Sequence, residues 1–172
     1  AVAAVSVALQ LGIAPEKISS ALNNFKGIYR RFEKIYSDAN TVYIDDYAHH
    51  PEEINMFLKS VREIYKGKKI TAIFQPHLFT RTRDLADGFA TSLDLADEVI
   101  LLPIYPAREE PIEGVTADTI LSRVKNANKQ MLSKEALIEK VKNSHFDVIC
   151  TIGAGDIDKL VQPIAEILKS KA

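Results

Sequence analysis

Four short apolar runs, each followed by polar residues, constrain the fold of this chain more than any other feature of its sequence. In chain order the runs are "TVYI", "KITAIF", "EVILLPI" and "FDVICTI". Near-continuous apolar strands of this kind, separated by segments with helical spacing, are typical of a parallel sheet that helices cover on both faces. We therefore predict an α/β fold with a mostly parallel sheet.

Helix signals fill the segments between these runs. "PEEINMFLKSVREIYKG" predicts a helix that begins at Pro51 and is closed at Gly67. Three further helices are predicted, the first of them "TRTRDLADGFATSLDLA". Their expected N-caps, in chain order, are Thr80 or Thr82, Thr116, and Ser133. The predicted inward face of the helix at Pro51 consists of Ile54, Phe57, Leu58, Val61 and Tyr65.

The first 28 residues have a different pattern. "AVAAVSVALQLGI" and "APEKISSALNNF" predict two helices, and we place a domain boundary close to residue 29. The apolar start has no basic segment before it, so it is a poor signal peptide, and we interpret it as a helix cut out of a longer protein. No apolar run approaches the roughly 18 to 20 residues that a membrane span needs.

Composition excludes some classes of function. The 172 residues carry a formal net charge of -1, which argues against a general nucleic-acid or anionic-membrane surface. Cys150 is the only cysteine, so no intramolecular disulfide can form, and a reducing cytoplasmic setting fits. A hydrophobic fraction of 47% with 26% charged residues predicts a globular domain with a real core.

Polar segments with chemically useful side chains follow the apolar runs. They are "DDYAHH", "PHLFTRTRD", "YPAREEP" and "GAGD". Because parallel α/β sheets bind ligands at the carboxyl ends of their strands, we expect these segments to meet at one edge and to form a common site. "GAGD" is neither of the usual glycine-rich phosphate loops, and as a lone motif it is weak.

The arginines of "RRF" have two readings. Arg30 and Arg31 form either a solvated surface pair or a cation site for phosphate oxygens, which suit the planar guanidinium. As parts of a strand they would point to opposite faces, so only one would reach a given ligand.

The acids and histidines of "DDYAHHP" also leave alternatives open. Asp45 or Asp46 either accepts hydrogen bonds from ribose hydroxyls or holds local backbone amides in a turn. His50 is expected to lie just before the helix that Pro51 begins. Adjacent histidines rarely bind one ion, and the sequence has neither Cys pairs nor HExxH, so we expect no metal site.

"PHLFTRTRD" places cations at the start of a predicted helix. Arg81 and Arg83 in the first turn would oppose the helix dipole, unless an anion is bound there or a salt bridge forms. Such a salt bridge is expected for Arg83, with Asp84 or Asp87.

Five segments in this order resemble the C-terminal part of the alanine-adding Mur ligases. They are "FKGIYRRFE", "DDYAHHPEEI", "IFQPHLFTRTRDL", "LLPIYPAREEPIEGV" and "TIGAGDI", and the resemblance covers nearly the whole chain. It implies a Rossmann-like C-terminal domain over residues 29–172. Residues 1–28 would be the last helices of the family's central ATPase domain.

The resemblance also implies an activity. Such ligases work in the bacterial cytoplasm on peptidoglycan precursors: ATP phosphorylates the carboxylate of UDP-N-acetylmuramate, and the amine of L-alanine attacks the acyl phosphate. The central domain supplies the phosphate loop and most ligands of Mg²⁺, and the N-terminal domain holds the UDP group. Because neither the loop nor the UDP domain lies within these 172 residues, we expect the fragment alone to be inactive.

Site residues follow from the resemblance by position. Arg31 matches an arginine that reaches the phosphates of ATP, and Asp46 matches the acid that binds the ribose. Two groups of residues match those that line the substrate side. Tyr47 and His49 match the amino-acid and acceptor side, and His77 and Arg81 match residues facing the UDP-sugar and the amino acid. The resemblance thus assigns catalytic roles to Arg31, His49 and His77.

Two positions depart from the family pattern, and three alternatives remain. Leu78 stands where some members have a second arginine, so any substrate contact of that arginine is lost or made elsewhere, and Ala48 replaces a common glycine. A close alternative is the related ligase that recycles a tripeptide onto the same sugar nucleotide. The others are a metal-dependent hydrolase using Asp45, Asp46, His49 and His77, and a non-catalytic nucleotide-binding module.

Overall fold

The computed structural model describes residues 2–171 and confirms the predicted fold class. Six strands form one sheet: β1 (Glu33–Ser37), β2 (Val42–Asp46), β3 (Ile70–Phe74), β4 (Glu98–Leu101), β5 (Lys129–Met131) and β6 (Val148–Ile152). The α-helices are α1 (Val2–Gln10), α2 (Pro15–Asn24), α3 (Pro51–Ile64), α4 (Phe79–Asp84), α5 (Ala86–Leu93), α6 (Asp118–Leu121), α7 (Lys134–Asn143) and α8 (Val161–Ser170). A 3₁₀ turn, Asp156–Leu160, precedes α8.

The sheet is parallel except at one edge. Its strand order is β1-β2-β6-β3-β4-β5, and only the pairing of β1 with β2 is antiparallel. All residues of β2, β3 and β6 are buried, which explains their near-continuous apolar sequences. The carboxyl ends of β2, β6, β3 and β4 are therefore neighbours.

Helices cover both faces of the sheet. On one face, α3, α5 and α6 pack on a core that includes Ile44, Phe74 and Leu101. On the other face, α7 and α8 pack on a core that includes Tyr43, Ile73 and Ile149. Successive residues of one strand thus enter opposite cores, because side chains alternate along a strand.

The helix that begins at Pro51 has the predicted inward face, with one exception. Ile54, Phe57, Leu58 and Val61 are buried, whereas Tyr65 is only partly buried at the end of the helix. Gly67 lies beyond the last residue of α3 and has φ +77°, a left-handed conformation that glycine adopts without steric cost.

The predicted helix after β3 is wrong in one respect: the segment forms two helices. α4 ends at Asp84 and α5 begins at Ala86, with Leu85 at the break. Neither predicted cap begins α4, because Leu78 precedes the helix, Thr80 lies within it, and the buried Thr82 bonds back to the Leu78 carbonyl.

Two later helix starts follow the sequence more closely. Ser133 caps α7 as predicted and accepts a hydrogen bond from the Ala136 amide. The Thr116 hydroxyl accepts from the Asp118 amide, but the N-cap of α6 is Ala117, one residue later than predicted. α6 is also only four residues long, which is shorter than predicted.

The two N-terminal helices contact each other and leave their apolar side chains accessible. Neither α1 nor α2 contains a buried residue. An open groove of about 290 Å³ between them is lined by alanines and larger apolar side chains, among them Val5, Ile18 and Phe25. The domain boundary near residue 29 remains a prediction.

Candidate active site

Three loops at the carboxyl edge of the sheet bring a row of aromatic rings together. Tyr47 and His49 follow β2, His77 follows β3, and Tyr105 follows β4. The ring centroids are 5.3 Å apart for Tyr47 and His49, 6.3 Å for His49 and His77, and 5.7 Å for His77 and Tyr105. We call this edge, built by residues 47–50, 75–84, 102–110 and 153–156, the strand-end rim. The predicted convergence of the polar segments is thus confirmed.

Arg30 is not the surface arginine that its sequence context allowed. It is buried, its Nε donates to Asp45 Oδ2 at 2.7 Å, and its Nη2 donates to the Gly153 carbonyl at 2.7 Å. The Arg30 carbonyl accepts from the Tyr47 amide, and its own amide donates to Glu33. One buried side chain therefore fastens the segment before β1 to the ends of β2 and β6.

The prediction that Arg30 and Arg31 point to opposite faces of a strand is wrong. Residues 30–32 precede β1, and Arg30 and Phe32 have φ values of +54° and +46°. The alternation of an extended strand therefore does not apply to them. Both guanidinium carbons lie 5.3 Å from the centroid of the Tyr47 ring.

Arg31 is exposed, in contrast to Arg30. Contact with the π face of Tyr47 favours a cation by about 0.5–1 kcal/mol at an exposed site. Tyr47 itself is 37% exposed. The Arg31 guanidinium therefore lies against the Tyr47 ring and is accessible to a ligand that binds at this edge.

Asp45 and Asp46 both have internal partners. Asp45 Oδ1 accepts from the Thr151 hydroxyl at 2.6 Å in addition to its pairing with Arg30. Asp46 Oδ2 accepts from the Phe32 amide and Oδ1 from the Ala48 amide. Burial raises the pKa of Asp46 above its usual value, and these two amides oppose the rise. Both acids therefore shape the local backbone, and the ribose contact of Asp46 remains a prediction.

His49 is held from several sides. Its Nδ1 lies 3.0 Å from the Tyr47 carbonyl and 3.4 Å from Glu53 Oε2. Its carbonyl accepts from Arg81 Nη1 at 3.4 Å. His50 directly precedes α3 as predicted, and its amide, like that of His49, donates to Glu53.

His77 is the half-buried partner in this row. The imidazole stacks on Tyr105, and its Nδ1 is buried with no hydrogen-bond partner among residues 2–171. Burial lowers the pKa of His77 below its usual 6.5, and the neighbouring Arg81 and His49 lower it further. The structure therefore favours a neutral imidazole here, which can donate or accept a hydrogen bond but adds no charge.

The short helix α4 carries the cations of the rim. Arg83 pairs with Asp84 at 2.7 Å, one of the two partners expected from the sequence. Arg81 is half-buried and reaches the His49 carbonyl. Glu109, from the loop after β4, accepts from the Thr80 amide and hydroxyl. This carboxylate replaces the side-chain cap that the helix itself lacks.

The glycines of "GAGD" serve close packing. A Cβ on Gly155 would lie 2.6 Å from both Gln75 Oε1 and Tyr105 Cβ, and one on Gly153 would lie 2.8 Å from the Gln75 carbonyl. Asp156 accepts from Gln75 Nε2 and pairs with Lys134. The turn therefore allows the loops after β3, β4 and β6 to touch, which is a structural role for the motif.

Sequence reasoning missed the structural roles of three charged residues at this edge. Arg30, Glu53 and Glu109 make their decisive contacts with residues outside their own secondary-structure element. The spacing of Glu53 after His49 and His50 was a usable signal, since an acid three residues after the residue preceding a helix forms a capping pair.

Residues 2–171 contain no group of three or more His, Cys, Asp or Glu side chains placed to hold a metal ion. None of the helices described is long and apolar enough to cross a membrane.

The fold and this edge define a class of protein. The family described as "Mur ligase, glutamate ligase domain" matches residues 30–155, which span the sheet from the Arg30 anchor to the Gly155 turn. The chain therefore belongs to the Mur ligase family. The match covers most of the chain and includes all six strands completely.

Within this family, the chain is similar to ligases that add L-alanine. The chain is 50% identical over 164 residues to the UDP-N-acetylmuramate--L-alanine ligase of Cytophaga hutchinsonii, covering 95% of this chain and 35% of that protein. It is 48% identical over 171 residues to the ligase of the same name from Porphyromonas gingivalis strain W83, covering 99% and 38%. A crystal structure of the UDP-N-acetylmuramate-alanine ligase MurC of Thermotoga maritima superposes with a TM-score of 0.78 at 28% identity, covering 98% and 36%. The chain thus spans little more than a third of the length of these relatives.

Proposed function

We propose that this chain is the C-terminal domain of an ATP-dependent ligase that joins L-alanine to UDP-N-acetylmuramate in the bacterial cytoplasm. The observation that carries the proposal is the 50% identity, over 95% of the chain, to a protein of that name. The strand-end rim supports the proposal, because the loops that form it lie within or next to residues 30–155, which match the family. On this proposal, residues 1–28 belong to a central ATPase domain, residues 29–172 form the C-terminal domain, and the remainder of the ligase supplies the UDP site.

The nucleotide contacts are assigned to Arg31 and Asp46, which adjoin the strand-end rim at Tyr47 and Ala48. Arg31 is exposed and lies on Tyr47, so a phosphate group would meet a guanidinium that is already oriented. Charge-assisted hydrogen bonds of this kind contribute about 1.5–3 kcal/mol each. Asp46 is anchored by two backbone amides, and its remaining lone pairs would face ribose hydroxyls.

The acceptor side is assigned to Tyr47, His49, His77 and Arg81. Arg81 supplies a cation for the carboxylate of the amino acid, and the neutral His77 next to it supplies a hydrogen bond without repelling the ammonium group. Together these residues would hold the zwitterionic amino acid close to the anionic sugar nucleotide, and positioning of this kind provides much of the acceleration in such reactions.

Mg²⁺ is assigned to other domains of the ligase. Residues 2–171 provide no cluster of metal-ligating side chains, so we assign no Mg²⁺ ligand to this chain. When bound with ATP, Mg²⁺ neutralises phosphate charge, and the Arg31 guanidinium would add to that effect.

The test uses the full-length ligase and its substrates. We expect phosphate release from ATP that depends on both UDP-N-acetylmuramate and L-alanine, and none from the 172-residue chain alone. Arg31→Ala should reduce phosphate release roughly 100-fold or more, whereas Arg83→Ala, which removes an exposed pair with Asp84, should not. Near-normal turnover by Arg31→Ala would refute the assigned role.

The same assay distinguishes the proposed L-alanine ligase from the related tripeptide-recycling ligase. The tripeptide in place of L-alanine should support little turnover, since the relatives compared above are named as L-alanine ligases. Preferential use of the tripeptide would overturn the substrate assignment while leaving the reaction class intact.

A further inference from the structure

The carboxylate of Glu53 accepts hydrogen bonds from the turn that carries His49. Its Oε2 accepts from the His49 amide at 2.9 Å and from the His50 amide at 3.2 Å. The same oxygen lies 3.4 Å from His49 Nδ1. These hydrogen bonds lower the pKa of Glu53 although its partial burial works in the opposite direction, so the group is held as a carboxylate.

The surroundings of His49 decide which ring nitrogen carries the proton. Nδ1 faces only acceptors, since the Tyr47 carbonyl at 3.0 Å and the Glu53 carboxylate at 3.4 Å cannot donate. A hydrogen bond at Nδ1 therefore requires the proton to be on Nδ1. In the neutral ring, Nε2 is then left with a free lone pair.

The position of the His49 ring places its Nε2 lone pair near the proposed site of the amino acid. His49 lies in the aromatic row between Tyr47 and His77, and Arg81, the cation proposed for the amino-acid carboxylate, contacts its carbonyl. Nε2 has no partner within the described residues. An amino acid held by Arg81 would bring its ammonium group to the same small region.

We propose that Glu53 is a positioning residue for His49, which holds the imidazole with its proton on Nδ1 so that Nε2 accepts a proton from the incoming ammonium group. The inference rests on the proposed function, because it requires an amine substrate at the rim. In the step, an ammonium proton passes to Nε2, and the freed lone pair forms the C–N bond to the acyl phosphate carbon. The C–O bond to phosphate breaks with its electrons on phosphate, which leaves with the second amine proton. The imidazolium formed is stabilised by the Glu53 carboxylate.

Glu53 could cap α3 without a charge, whereas stabilisation of the His49 imidazolium requires the carboxylate. Variants that keep the hydrogen bonds and remove the charge therefore distinguish the two roles. The amide oxygen of Glu53→Gln can still accept from both backbone amides, but it cannot stabilise an imidazolium to the same degree. Glu53→Ala loses both functions. Glu52→Gln is the matched control, since Glu52 lies in the same first turn of α3 and is exposed.

The first measurement is steady-state kinetics with the full-length ligase. We expect Glu53→Gln to lower kcat for L-alanine-dependent phosphate release roughly 10- to 100-fold, with an unchanged KM for ATP and an unchanged urea midpoint. Glu52→Gln should leave both constants unchanged. Wild-type turnover by Glu53→Gln would show that Glu53 only caps the helix and would overturn the proposal.

The second measurement does not depend on turnover. In the ¹⁵N-histidine-labelled chain, we expect the nitrogen shifts of neutral His49 to show a protonated Nδ1 and an unprotonated Nε2. A proton on Nε2 in the wild type would overturn the proposal. If the full-length ligase released no phosphate in response to L-alanine, the proposed function would fail, and the tautomer would still decide whether Nε2 of His49 is free to accept a proton. Because the Tyr47 carbonyl also faces Nδ1, the contribution of Glu53 is measured by the same nitrogen shifts in Glu53→Gln, where we expect the preference for a proton on Nδ1 to weaken.

Discussion

At the scale of single residues, Arg30 and Asp45 form the contact on which the edge of the sheet depends. Their side chains are 7% and 1% exposed, and the guanidinium also reaches the Gly153 carbonyl. Removing one member of such a pair leaves a buried charge without compensation, which costs more than the pair itself contributes to stability.

Asp45→Ala should therefore lower the free energy of unfolding by about 3–5 kcal/mol. The comparison is Asp84→Ala, which removes a salt bridge whose side chains are 52% and 57% exposed and should cost less than about 1 kcal/mol. Urea unfolding followed by circular dichroism measures both. Equal costs would show that the buried pair does not hold the edge together.

His77 should make stability depend on pH below neutrality. Its pKa in the folded chain lies below 6.5, chiefly because the ring is partly buried and secondly because Arg81 is close. The unfolded chain therefore binds a proton more readily than the folded chain, and stability falls as the pH drops below about 6.5 towards the folded pKa. Above that range the contribution is constant.

His77→Gln should remove this part of the pH dependence. Urea midpoints at about pH 7 and about pH 5.5 should differ less in the variant than in the wild type. His145→Gln, at an exposed histidine, should keep the wild-type difference. An unchanged difference in His77→Gln would mean that other groups cause the acid sensitivity.

At the scale of elements, sequence patterns predicted those parts of the fold that local spacing determines. The apolar strands, the buried face of α3 and the Ser133 cap of α7 all depend on residues within a few positions of one another. Arg30 could not be placed in this way, because its φ of +54° is not that of a strand and its side chain contacts Gly153, 123 residues away. For the same reason the sequence left both readings of Asp45 open.

The short helix α4 shows a similar limit. Its start has no local cap, since Leu78 precedes it with φ +72° and the capping carboxylate is Glu109, 29 residues away. Spacing alone therefore favoured Thr80 or Thr82, and it also missed the break at Leu85. Glu109 lies close to the positive end of the helix, where a carboxylate is favourable, whereas Arg81 and Arg83 lie in the last turn of this six-residue helix rather than only in its first turn, as the sequence suggested.

Glu109→Ala should destabilise α4 selectively. Loss of a cap costs about 1 kcal/mol, which corresponds to a Tm lower by roughly 2–4 °C for a chain of this size. Glu110→Ala at the exposed neighbouring position should leave the Tm unchanged. On the proposed function, Glu109→Ala in the full-length ligase should also raise the KM for L-alanine, because Arg81 on the same helix is less well held. A Tm equal to that of Glu110→Ala would contradict the capping role.

At the scale of the whole molecule, the stability of the sheet should be independent of the first two helices. Neither α1 nor α2 contains a buried residue, whereas both hydrophobic cores lie within residues 32–168. Apolar side chains in the groove between the two helices remain in contact with water, and exposed patches of this kind favour association.

A chain of residues 29–172 should therefore unfold at the same urea midpoint as the 172-residue chain, within about 1 kcal/mol of free energy. It should also bind less of a dye that reports exposed apolar surface, and it should associate less at high concentration, because the groove that contains Ile18 and Phe25 is gone. Equilibrium unfolding and analytical ultracentrifugation of the two chains test both statements. A lower midpoint for residues 29–172 would show that α1 and α2 stabilise the sheet and would move the domain boundary towards the N-terminus. Equal self-association would show instead that the groove is not the surface through which the longer chain associates.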